Sequence, residues 1–111
     1  MTGKKTRIMY VECKATEDGR GSARICRVTF SKSGRTIYTG GRKLQSLRGS
    51  GVYGNYADVN TGIEYWVSGP KKDGKDRHWA GGGPVKIDAD CVDEYWRDIR
   101  KCTPPEDPFF A

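Results

Sequence analysis

The chain has 111 residues, 31% of them charged and 35% hydrophobic, with a formal net charge of +6 and a pI near 9.3. That length suits one domain around one core; no apolar run could span a bilayer, and Met1 to Arg7 lack the apolar core and cleavage site of an export signal, so a cytoplasmic chain with reduced cysteines is expected. Charge is polarised along the sequence: residues 1–50 carry 12 Lys/Arg against 3 Asp/Glu, and residues 51–111 carry 8 against 11. A basic half favours acidic partners, with nucleic acid or another polyanion first and an acidic protein second.

Residues 1–6 are expected to be flexible, 7–102 to form a single β-rich domain, and 103–111 to be a disordered tail. Arg7 to Ala15 alternates as a strand, with Met9, Val11 and Cys13 on one face and Ile8 and Tyr10 on the other. It ends in the tight-turn chemistry of Glu17-Asp18-Gly19-Arg20-Gly21. A second strand, Ser22 to Ser31, sets Cys26, Val28 and Phe30 against Arg27 and Thr29, and Ser33-Gly34 turns it into a third over Arg35 to Thr39. Arg42 to Arg48 reads as a short strand or a helical turn, with strand or irregular loop preferred among its surrounding glycines.

The next hairpin runs from Asn55 to Val59, turns at Asn60-Thr61-Gly62, and returns with Ile63, Tyr65 and Val67 on one face and Glu64, Trp66 and Ser68 on the other. Trp66 alone breaks the polar face. Gly69-Pro70 ends that strand, Lys71 to Lys75 form a charged tip, Asp76 to Trp79 begin a return strand, and Val85 and Ile87 make a last short one. From about 89 to 101 the period changes: Val92, Tyr95, Trp96 and Ile99 share a helical face, with Asp88 or Asp90 available as N-cap and basic residues late. The fold expected is mainly β, a small strongly bent antiparallel sheet or an SH3-like, partly open barrel, with one C-terminal helix plugging an end or packing on a face.

Most motif-like chemistry resolves into structural roles. Gly49-Ser50-Gly51-Val52-Tyr53-Gly54 matches the dinucleotide-binding G-x-G-x-x-G spacing, yet strand formers and not a helix follow it, so a bulged glycine connection is expected. Cys13, Cys26, Cys91 and Cys102 contain no Cys-x-x-Cys pair, and His78 has no partner visible in sequence, so neither a metal site, a cofactor nor a nucleophile–base pair is expected.

Two recognition surfaces remain. Arg24, Arg27, Arg35, Arg42 and Lys43, interleaved with Tyr38 and Tyr53, have the cation-plus-aromatic composition with which sheets hold single-stranded nucleic acid. The same arginines could instead protect strand edges from aggregation. Trp66 and Trp79 with Lys71, Lys72 and Arg77 form a second candidate, a partner-binding hairpin. A non-enzymatic binding module is therefore expected, on the first surface or alternatively on the second.

The order Tyr65-Trp66-Val67-Ser68-Gly69-x-Lys71-Lys72-Asp73-Gly74-x-Asp76-Arg77, then Val85-x-Ile87-Asp88 and Tyr95-Trp96-x-x-Ile99-Arg100, resembles a family of small uncharacterised bacterial proteins over roughly residues 7–101. The resemblance implies a fold and a bacterial origin, and no activity. Some relatives carry the name of a thiamine-dependent deoxyxylulose-phosphate synthase, a chemistry for which this chain is too short and has no matching residue set.

Overall fold

A computed structural model describes residues 5–14, 23–48, 54–72 and 85–110. The expected turn at 17–21, the glycines at 49 and 51, the 73–75 part of the charged tip and the strand expected at 76–79 lie outside the described residues. The strands are β1 (Lys5–Cys13), β2 (Ala23–Phe30), β3 (Thr36–Thr39), β4 (Arg42–Ser46), β5 (Tyr56–Asp58), β6 (Glu64–Ser68) and β7 (Val85–Ile87).

Pairing proceeds β1-β6-β5-β4-β3-β2 and returns from β2 to β1, all antiparallel, so six strands close into a barrel where a partly open one was expected. Closure removes the free edges that a bent sheet would leave exposed. The second edge of β2 is divided: Thr29 and Phe30 pair with β3, while Ala23 to Ile25 pair in parallel with β7, which lies outside the ring.

Two turn devices explain how such short strands close. Thr39-Gly40-Gly41-Arg42 joins β3 to β4 through two central residues at φ +54° and +77°, the conformation of the two-residue hairpins whose twist matches that of the strands. Just ahead of β5, where the chain runs alongside β6, a Cβ on Gly54 would sit 2.5 Å from the Tyr65 carbonyl oxygen, so only glycine lets the chain pass. Beside it the Asn55 side chain imitates a strand partner, donating to Val67 O and accepting from Val67 N, each at 2.8 Å.

Period-two alternation sorts the apolar side chains into two cores, as expected for β1. The barrel interior holds Met9, Val11, Cys26, Val28, Ile37, Leu44, Tyr65 and Val67. The outer face of β1 and β2 presents Ile8, Tyr10, Ala23 and Ile25 to a second layer made by β7, Cys91, Tyr95 and Trp96. The helix therefore packs on a face and does not plug an end. It comprises one α turn, α1 (Val92–Glu94), continued as a π-helical segment over Tyr95–Arg100. Cys91, not an aspartate, occupies the N-cap position, and Lys101 ends the helix in the left-handed region at φ 53°. Burial of Tyr95 and Trp96 contributes about 4–6 kcal/mol per ring before ordering entropy is subtracted. Burial, then nearby Asp90 and Asp88, pushes the Cys91 thiol up to about 12, so that sulfur stays protonated and inert.

The tail makes contacts with β7 and the helix. Trp96 Nε1 donates to Pro108 O at 2.7 Å, Ile87 N donates to Phe109 O at 2.7 Å, and Phe110 forms a bridge with Lys86. Prolines do prevent a helix there, but an extended segment can still satisfy the outer edge of β7 and the indole N–H, both of which want partners.

Candidate functional site at the barrel mouth

One end of the barrel, where β1 and β3 finish and β2 and β4 begin, opens into a cavity of about 220 Å³ lined by Val11, Cys13, Arg24, Thr39, Gly40, Arg42 and Tyr65. Arg24 and Arg42 reach it because they hold interior register positions: Arg24 precedes buried Cys26 by two residues, and Arg42 precedes buried Leu44 by two. At the rim the next interior position meets water, so a long cation can lay its stem on the apolar wall and keep its head solvated.

Each guanidinium is positioned. Arg42 Nη1 donates to Asp58 Oδ2 at 3.1 Å, and Asp58, whose side chain is only 3% exposed, also accepts from Asn60 N at 2.8 Å. The Asn60 amide first, then Arg42 and the Thr61 amide, outweigh burial and hold the Asp58 carboxyl below the usual carboxylate range. Arg24 lies over the β3–β4 turn, with its Nη2 only 3.0 Å from where a Cβ on Gly40 would stand. Burial works against its charge, but a hydrogen bond to the Cys26 side chain and the field of Asp88 more than compensate. Asp88 Oδ2 is 3.7 Å from Arg24 Nη2, beyond hydrogen-bond reach. Burial foremost, with Cys13 adding to it, raises the Tyr65 phenol, which stays a protonated donor at the cavity wall.

Across the turn, the outer faces of β3 and β4 carry Tyr38 directly opposite Lys43. These two, with Arg27, Arg42, Asn60 and the turn glycines, border a shallow depression of about 430 Å³. Tyr38 is 38% exposed, and Lys43 has no ion pair among the described residues.

Of the residues expected to bind a polyanion, Arg24, Arg42, Lys43 and Tyr38 thus gather around one turn. Arg27 borders the same depression but points to the helix side, where Glu94 at 3.0 Å and Asp90 at 3.5 Å engage it. Arg35 precedes β3 at the opposite end of the barrel, and Tyr53 lies outside the described residues. On the second surface, Lys71 and Lys72 are exposed, whereas Trp66 is half-buried against the outer core; Arg77 and Trp79 lie outside the described residues. Thr39, Tyr65 and Cys13 were not expected at a site. Counting back by two from Cys26 and Leu44 would have placed Arg24 and Arg42 at an interior rim, but only strand pairing joins those rims.

Among the described residues, no three His, Cys, Asp or Glu side chains converge to hold a metal ion, and no helix is long and apolar enough to cross a membrane. No family model matches the chain, and neither a curated protein nor a solved structure matches it.

Proposed function

We propose that the protein is a non-enzymatic binding module that holds single-stranded nucleic acid, or a polyanion of similar charge density, across the β3–β4 turn. Arg24 and Arg42 meet phosphates from the mouth, Lys43 meets them from the outer face, and Tyr38 offers a ring on which a base can stack. The observation that carries this reading is the placement of all four around a single two-glycine turn, so that one strand crossing it meets both faces. The alternative, a partner-binding hairpin, retains exposed Lys71 and Lys72 but has Trp66 packed against the core, and it is the weaker reading.

Fluorescence anisotropy of labelled single-stranded and duplex oligonucleotides at low and moderate salt tests the proposal. With three cations engaged, log K should fall against log salt with a slope of about −2 for single strands. Binding that ignores salt, or none at low salt, removes the proposal and makes the positive charge a solubility feature.

A further inference from the structure

The mouth differs from a general phosphate-binding surface in being a small cavity between barrel strands. The packed barrel interior begins two residues beyond Arg24 and Arg42, at Cys26 on β2 and Leu44 on β4, so an end group suits the cavity better than a chain passing through. The volume of about 220 Å³ falls below the roughly 300 Å³ at which ligand pockets usually begin. It corresponds to about seven waters at their liquid volume, enough for a tetrahedral oxyanion and its ester oxygen but not for a nucleoside.

We infer that the barrel mouth is a pocket for one phosphomonoester group, carried either at the end of a nucleic-acid strand or by a small sugar phosphate. The strand version rests on the polyanion reading above; the small-molecule version does not. Two guanidinium groups suit a group bearing about −1.5 to −2 charge and three free oxygens better than a backbone phosphodiester, which has one charge. Among the described residues Arg24 has no carboxylate within hydrogen-bond distance, and Arg42 directs only Nη1 to Asp58, leaving the other donors of its fork. Thr39 and Tyr65 add hydroxyls to the same wall. Asp58 does not repel the anion strongly, because Asn60, Thr61 and Arg42 already neutralise its oxygens; it is a positioning residue for Arg42.

The test compares 3′-labelled oligonucleotides of one sequence carrying a 5′-phosphate or a 5′-hydroxyl, and in parallel follows backbone amide NMR signals with ribose 5-phosphate at constant ionic strength. The phosphorylated end should bind roughly tenfold tighter, the scale of one or two charge-assisted hydrogen bonds. Arg24→Gln should bring that ratio close to one, Tyr65→Phe should reduce it with the fold intact by circular dichroism, and Lys43→Ala should weaken both oligonucleotides without changing it. If no oligonucleotide binds but ribose 5-phosphate shifts Thr39, Gly40 and Arg42, the pocket stands with a small phosphate ester as its ligand and the strand reading fails. Equal binding of both ends with no response to ribose 5-phosphate overturns the pocket and leaves the strand reading in place. No response to either probe overturns both.

Discussion

Arg24 and Arg27 stand three residues apart on β2 and face opposite sides of the barrel wall. Arg27 faces the helix layer, where Glu94 and Asp90 neutralise it and tie the strand to the turn before α1. Arg24 faces the mouth, where the nearest carboxylate oxygen among the described residues, that of Asp88, is 3.7 Å away and the space before it is open. The same residue type in the same strand serves cohesion on one side and, on the proposed reading, recognition on the other. Side-chain parity sets which side each faces, and the carboxylates of the helix layer, not the density of positive charge in sequence, take up Arg27.

The largest expected effect breaks the helix-side region. Tyr95→Ala empties the centre of the outer core and should cost about 3–5 kcal/mol in urea unfolding; a near-neutral result would mean that the barrel does not need its second layer. Next comes Asp58→Asn at the mouth. Because the Asp58 carboxyl is held below its usual range, its contribution is fully present above that range and disappears as pH falls through the folded value. The variant should therefore be less stable than the parent at neutral pH, with the gap closing in acid, as followed by thermal melts across pH. A constant gap would show that the carboxylate's charge is not what the turn uses.

Smaller effects sharpen the contrast. Deleting residues 103–111 removes the hydrogen bonds from Trp96 and Ile87 to the tail and should cost about 1–2 kcal/mol without altering anion binding. Arg27→Gln loses two partly exposed ion pairs and should cost less than about 1 kcal/mol, again sparing binding.

Much of the architecture was legible from alternation. Met9 and Val11 against Ile8 and Tyr10, and Tyr65 and Val67 against Glu64 and Trp66, follow the period-two rule and fall where it puts them. The amphipathic helical face of Val92, Tyr95, Trp96 and Ile99 was equally readable. Ring closure, the parallel pairing of β7 and the anchoring of Pro108 and Phe109 were not, because each depends on contacts between segments far apart in sequence. The candidate site was half legible. Composition marked Arg24, Arg42, Lys43 and Tyr38, yet it grouped them with Arg35, which strand direction sends to the opposite end of the barrel, and with Arg27, which borders the same depression but is engaged by Glu94 and Asp90. Asp58 and Tyr65 read as ordinary hairpin residues until β5 and β6 bring them beside β4 and β1.

The contrast between the two arginines is tested most directly by titrating one labelled single-stranded oligonucleotide at low salt against the parent, Arg24→Gln and Arg27→Gln. Loss of roughly tenfold or more in affinity for Arg24→Gln, with Arg27→Gln close to the parent, is the expected result. Equal loss in both variants, or a loss confined to Arg27→Gln, would contradict the assignment of recognition to the mouth and of cohesion to the helix side.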